Sequence, residues 1–223
     1  MKILIIEDEP QLLEITKNFL EKEKYLVETA NTFLNAKEKI FNYEYDCILL
    51  DLMLPDGNGI DLLKEIKQNN IDTPIIILSA KNAVEDKVLG LEIGADDYLA
   101  KPYHLIELNA RLKSAIRRKN NNGLPLIYYK NLTIDTESRR FYVNNQEITL
   151  NRKEFEVMLY FAIRPEKLIQ KTTLAEAVWG DAIDQTDSYD FIYSQIKNIR
   201  KKIKNFNPDF DIQAVYGIGY KLI

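Results

Sequence analysis

The chain has one cysteine, Cys47, set in the apolar stretch that runs to Leu50. A lone cysteine closes no internal disulfide. It reads as a core residue, and a reducing cytoplasm fits it. One histidine, His104, stands beside Pro102 and reads as an exposed loop residue; with no histidine in a kinase-like helical context and no Gly-rich nucleotide loop, the chain is not expected to be a sensor kinase. No apolar run approaches the roughly 20 residues of a membrane span. Met1 and Lys2 lead directly into a strand and then into acids, so no signal peptide is expected. Glycine is sparse, at 8 of 223 residues, and Glu7-Asp8-Glu9 occupies the place of a glycine-rich dinucleotide turn. That argues against a nucleotide-binding oxidoreductase.

What is present is globular: 46% hydrophobic and 29% charged residues. The net charge of −4 hides an asymmetry. Residues 1–118 hold 15 basic and 21 acidic side chains, whereas residues 119–223 hold 15 and 13. Between Phe191 and Pro208 there are five basic residues (Lys197, Arg200, Lys201, Lys202 and Lys204) and no acid. Two domains with different partners are expected: 1–118 and 126–223, joined by the polar, Asn-, Gly- and Pro-containing stretch 119–125 as a linker.

In the first half, short apolar runs alternate with stretches of helical spacing about five times, the pattern of a doubly wound α/β domain on a parallel sheet. Helix one is expected over Pro10–Lys24, with Pro10 in its first turn. Each apolar run ends in a functional side chain: Glu7 and Asp8, Asp51, Ser79 and Lys81, then Lys101 and Pro102. Ligands of such sheets bind at the carboxyl ends of the strands, so Glu7, Asp8, Asp51, Ser79 and Lys101 are expected to share one pocket. Three carboxylates together resist ionisation unless a cation compensates, and an oxygen-rich site suits Mg²⁺. Asp8, helped by Glu7, would hold the metal, and Asp51 would act as nucleophile. Lys101 and Ser79 would stabilise a transferring phosphoryl group. A cis bond before Pro102 would point Lys101 inward.

After the linker the reading is α+β. Short strands occupy "LIYYKNLTID", "RRFYVNN" and "QEITL", with an Asn-Asn turn between the last two. Helices follow over Arg152–Ile163, over Lys171–Val178 capped by Thr172 or Thr173, and over about Asp187–Lys204. Two short strands around Gly217 close the chain, suggesting a winged helix-turn-helix. On the last helix Lys197, Arg200, Lys201 and Lys204 share one face, opposite a stripe of Ile192, Ile196, Ile199 and Ile203. Such a helix can lie in a DNA major groove with its charges on phosphates, while Ser194, Gln195 and Asn198 read base edges. Trp179 reads as core packing.

The motifs "IIEDEP", "CILLDLMLPDGNGIDLL", "PIIILSAK" and "GLEIGADDYLAKPYHLIEL" resemble the flavodoxin-like receiver domain of two-component response regulators. The linker and second half resemble the winged-helix output domain of the OmpR/PhoB subfamily. The resemblance implies that Asp51 accepts a phosphoryl group from a phosphohistidine on a sensor histidine kinase. It implies Mg²⁺ held by Glu7, Asp8, Asp51 and the backbone carbonyl of Met53, and a switch pair of Ser79 and Tyr98. It implies homodimerisation on phosphorylation through Lys87 with Glu107, Glu92 with Lys113, Asp97 with Arg111, and Asp96 with Arg118. The recognition helix and wing would bind tandem half-sites of double-stranded DNA. Tyr193–Ile196, "YSQI", replaces a commoner Asp-Val-His-Ile core, and Tyr216 replaces a wing arginine. The turn "DAIDQTDS" matches the segment that contacts RNA polymerase in some relatives. The chain would not be an enzyme beyond its own phosphoryl transfer and dephosphorylation. Two alternatives stand beside this reading. One is a freestanding Mg²⁺-dependent phosphotransferase or phosphatase, against which Met53 occupies the position of a second catalytic aspartate. The other is a regulator with a protein-binding output domain, against which the cationic helix face argues.

Overall fold

The computed structural model describes residues 1–79, 84–121, 123–181, 183 and 188–223. The chain divides into two compact units, Met1–Lys119 and Asn120–Ile223. The first unit carries β1 (Lys2–Ile6), α1 (Pro10–Lys22), β2 (Leu26–Ala30), α2 (Phe33–Asn42) and β3 (Cys47–Asp51). A two-residue pair follows, β4 (Met53–Leu54) and β5 (Gly57–Asn58), then α3 (Gly59–Gln68), β6 (Ile75–Ser79), α4 (Val84–Ile93), β7 (Asp97–Ala100) and α5 (Leu105–Asn121).

Five of these strands form a parallel sheet in the order β2-β1-β3-β6-β7. Strands β1, β3 and β6 are buried at every position, as apolar runs covered on both faces must be. Their side chains alternate between two cores. Leu4, Ile6, Ile48, Leu50, Ile75 and Ile77 pack with Ala36 and Ile40 of α2 and with Ile60, Leu63 and Ile66 of α3. Ile3, Ile5, Cys47, Leu49, Ile76 and Leu78 pack with Leu20 of α1 and with Leu108, Leu112 and Ile116 of α5. The chain turns one way from β1 to β2 and the other way to β3, so the switch point lies between β1 and β3. Their carboxyl ends therefore flank the crevice where ligands of such sheets bind.

The second unit begins with an antiparallel sheet ordered β11-β10-β9-β8, from β8 (Leu126–Tyr129), β9 (Leu132–Asp135), β10 (Arg140–Val143) and β11 (Gln146–Glu147). Asn144 and Asn145 join the last two with φ of 50° and 62°, the left-handed pair that a type I′ hairpin requires. Helices α6 (Arg152–Ala162), α7 (Lys171–Trp179) and α8 (Asp190–Ile203) follow. The terminal hairpin, β13 (Ile212–Val215) with β14 (Gly219–Leu222), is extended by β12 (Ile169–Gln170) on the far edge of β14. Ile192, Ile196, Ile199 and Ile203 of α8 are all at most 3% exposed, each contributing about 1.5–3 kcal/mol of burial.

Several boundaries differ from the expectations. Helix α5 continues through Asn121 into the stretch read as linker, with Arg118 donating to the Asp96 carbonyl (3.3 Å) and Lys119 to that of Asp72. Helix α7 starts directly after β12 on Gln170, with no side-chain cap, so neither Thr172 nor Thr173 caps it. Helix α8 begins at Asp190, whose N–H donates to the Ser188 hydroxyl (3.2 Å). Lys81 and most of the 181–188 turn lie outside the described residues. No described helix is long and apolar enough to cross a membrane.

Candidate functional site: an acidic pocket and a cationic helix

The residues at the ends of β1, β3 and β7 converge. Among the described residues, Glu7, Asp8 and Asp51 form an acidic group whose ligating atoms all lie within 4.8 Å of one another. Glu7 and Asp51 are buried, at 1% and 4% exposure, whereas Asp8 is open to solvent. The Lys101 ammonium bridges the two buried carboxylates, 2.5 Å from Glu7 Oε2 and 2.5 Å from Asp51 Oδ2. The Lys101–Pro102 bond is cis, as expected. Burial raises the Glu7 carboxyl above its ordinary range, and Lys101 only partly offsets that. On Lys101, burial acts to lower the ammonium, but the hydrogen bonds and charges of Asp51 and Glu7 together leave it raised.

Asp51 Oδ1 accepts from the Met53 N–H at 3.0 Å, which fixes the carboxylate against the loop that follows it. Gly59 lets that loop close: a Cβ there would sit 2.4 Å from the Asp51 carbonyl oxygen. Ser79, the last residue of β6, is 1% exposed, and Tyr98 in β7 is buried at 7%. The Lys87 ammonium lies 5.9 Å from the centroid of the Tyr98 ring. His104 is exposed, as expected, and lines an apolar surface groove with Leu12, Ile15, Phe19 and Tyr103.

Several of the charged residues assigned to a dimer face have partners within this one chain. Arg111 binds Asp97 (2.9 Å) and Glu107 (2.8 Å). Lys113 lies 3.7 Å from Glu23, and the side chain of Asp96 accepts from the Ile75 N–H at 2.9 Å. Lys87 and Glu92 are exposed.

In the second unit Lys197, Lys201 and Lys204 of the α8 segment are exposed together with Tyr193, Ser194 and Asn198; Gln195 is half-buried. The Ser194 hydroxyl donates to the Asp190 carbonyl (3.1 Å). Arg200, though on the same turn, points to the wing: Nε lies 3.1 Å from Asp211, and Nη2 donates to the Ile212 carbonyl. Tyr216, beside Gly217 at the hairpin tip, is fully exposed.

Sequence reasoning also passed over Glu154. It is 1% exposed, forms a capping box with Asn151 at the start of α6, and binds the Lys202 ammonium at 2.6 Å. The signal was legible as "NRKE", an Asn followed three residues later by Glu.

Comparison with known proteins agrees with this layout. Residues 3–113 match the response regulator receiver domain family, and residues 145–222 match the family described as transcriptional regulatory protein, C terminal. The chain is 38% identical over 220 residues to the response regulator ArlR of Staphylococcus saprophyticus, covering 98% of this chain and 97% of that protein. It is 33% identical over 236 residues to the transcriptional regulatory protein SrrA of Staphylococcus aureus, covering 99% and 94%. Among solved structures, the Francisella response regulator 1452 receiver domain is 36% identical over 53% of this chain and 98% of that one, with a TM-score of 0.52. A freestanding phosphotransferase leaves the second match unexplained. The acidic pocket, the cationic helix and the end-to-end relatives place the chain in the OmpR/PhoB-type family of two-component response regulators, transcriptional regulators that join a receiver to a DNA-binding domain.

Proposed function

We propose that Asp51 is the phosphoacceptor and that its phosphorylation by a sensor histidine kinase controls DNA binding. The observation that carries this reading is the Lys101 ammonium shared between Glu7 and Asp51, with Asp8 alongside. The three carboxylates fit a divalent cation: two are buried and share one ammonium, and the third is open to solvent. Glu7, Asp8 and Asp51, with the Met53 carbonyl, would hold Mg²⁺, which when bound offsets the charge of carboxylates and phosphoryl group.

A carboxylate oxygen of Asp51 attacks phosphorus. The P–N bond to the kinase imidazole breaks, and its electron pair stays on the imidazole nitrogen. Lys101 then follows the charge onto the phosphoryl oxygens, and the Ser79 hydroxyl donates to one of them. Ser79 and Tyr98 act as a switch, with the Tyr98 ring filling the space that Ser79 leaves. The chain performs no chemistry beyond this transfer and the later hydrolysis of its own acyl phosphate.

Phosphorylation would pair two receivers across α4, β7 and α5. Lys87 would exchange to Glu107, Glu92 to Lys113, Asp97 to Arg111 and Asp96 to Arg118 of the other copy, around exposed Val88, Leu91 and Ile106. Exposed pairs contribute about 0–1 kcal/mol each, so their role is orientation in a two-fold dimer. Two α8 helices then meet tandem half-sites, with Lys197, Lys201 and Lys204 on phosphates, Ser194, Gln195 and Asn198 at base edges, and Tyr216 in the wing. Arg200 supports the wing that Tyr216 caps. The 181–188 turn is the segment proposed to meet RNA polymerase, and the cytoplasm is the proposed compartment. Sedimentation velocity on the chain and on Asp51→Asn, with an acyl-phosphate donor and Mg²⁺, tests the reading. A dimer only in the phosphorylated wild type supports it, and equal behaviour of both proteins overturns it.

A further inference from the structure

The loop that follows Asp51 is held at its tip from another part of the fold. Strands β4 and β5 pair Met53 with Asn58 and Leu54 with Gly57, leaving Pro55 and Asp56 as a two-residue tip. The Asp56 carboxylate reaches the start of α2, 22 and 23 residues earlier in the chain. Its Oδ1 accepts from the Phe33 N–H at 2.5 Å, and its Oδ2 from the Leu34 N–H at 3.0 Å. The next free N–H of that helix, on Asn35, is taken by the Thr32 side chain at 3.2 Å. Asp56 thus supplies what the N-terminus of α2 needs and its own turn does not.

A second contact sits beside the first. The Phe33 ring lies against the backbone of Gly57, where a Cβ would come within 2.7 Å of the ring. The base of the loop is closed separately, by the Gly59 N–H on the Leu52 carbonyl (2.9 Å) and the Met53 N–H on Asp51. The strand pair is only two residues long, and Met53 is 59% exposed, so nothing in its own side-chain packing fixes Met53. Base and tip are thus both held, and Met53 lies between them.

We propose that Asp56 is a positioning residue for the phosphoacceptor loop: by tying the β4–β5 tip to the N-terminus of α2, it sets the Met53 backbone that faces Asp51. This rests on the reading of Asp51, Glu7, Asp8 and the Met53 carbonyl as the cation site. The carboxylate touches none of the reacting groups and acts through the loop. Outer groups that hydrogen-bond a metal ligand directly change metal affinity or activity by about 10–100-fold when lost. A tip contact on an exposed loop belongs at the lower end of that range.

The test uses the full chain as wild type, Asp56→Ala and Asp56→Asn. Mg²⁺ affinity is measured by calorimetry, and amide hydrogen exchange is followed at Phe33, Leu34 and Met53 without Mg²⁺. Asp56→Ala should weaken Mg²⁺ binding on the order of 10-fold and speed exchange at all three amides. Asp56→Asn, which still presents one acceptor oxygen, should recover most of both. Neither readout uses phosphorylation, so the pinning can fail or stand whatever Asp51 accepts. Wild-type Mg²⁺ affinity and wild-type Met53 exchange in Asp56→Ala, with only the thermal midpoint lowered, would overturn it and leave Asp56 a plain helix cap.

Discussion

Lys201 and Lys202 are neighbours on α8 with different surroundings, and the difference can be measured. Lys201 is exposed and has no partner among the described residues. Lys202 sends its ammonium to Glu154 Oε2 at 2.6 Å and to the Thr149 carbonyl at 3.0 Å. Glu154 is 1% exposed. Removing one partner of a buried pair costs up to about 3–5 kcal/mol, because the remaining charge is stranded. Here two features reduce that: Glu154 keeps its bond from the Asn151 N–H at 2.7 Å, and the Lys202 side chain is 37% exposed, so water can approach. A loss of about 2 kcal/mol is expected for Lys202→Met, near the value of a charged hydrogen bond. In a unit of this size that lowers the thermal midpoint by about 8–16 °C. Lys201→Ala should leave the midpoint in place and reduce the salt dependence of DNA binding by about one phosphate contact, 0.9 in the log–log slope. Calorimetric melting and DNA titrations at several salt concentrations read both. A flatter salt slope with an unchanged midpoint in Lys202→Met would refute the assignment of Lys202 to the fold.

Three further outcomes follow. Gly59→Ala places a methyl 2.4 Å from the Asp51 carbonyl oxygen; relieving it should cost about 1–3 kcal/mol and slow acyl-phosphate uptake, whereas a wild-type melt and rate would show that the start of α3 yields freely. Asp135 accepts from Glu137 N–H, Ser138 N–H and the Ser138 hydroxyl. Burial acts to raise its carboxyl, but these bonds leave it below the ordinary 3.8. A depressed carboxyl stabilises the fold above 3.8 and loses that contribution as pH falls through its folded value. Asp135→Ala should therefore be destabilised at neutral pH and converge with wild type in acid; a constant gap down to pH 2 would contradict this. Cys47 is fully buried, and burial pushes its thiol well above the ordinary value. A thiol reagent should modify it only at the rate of unfolding, so rapid labelling of the native chain would show that β3 opens locally.

The receiver sheet was legible because parallel strands covered on both faces are continuous apolar runs, and their ends carry the ligands. "KILII", "CILLD" and "IIILS" needed only that rule to bring Glu7, Asp51 and Ser79 to one edge. The α8 stripe was legible for the same kind of reason, since Ile192 to Ile203 keep helical spacing. Pairings between distant segments were not. Asp56 reads as a turn residue until α2 is placed beside it, and β4 and β5 are too short for any periodicity. Arg200 shares its helical face with Lys197 and Lys201, and only the position of β13 brings Asp211 within its reach. The Asn run after Lys119 signals a break, yet α5 persists to Asn121 because Arg118 and Lys119 fasten its last turns to carbonyls of the same unit.

Intact mass after incubation with a small acyl-phosphate donor and Mg²⁺ shows whether Asp51 takes up a phosphoryl group. One added phosphoryl group is expected on the wild type, lost in alkali and absent from Asp51→Asn and from the magnesium-free sample. The same added mass on Asp51→Asn, or none on the wild type in the presence of a histidine-phosphorylated kinase, would contradict it.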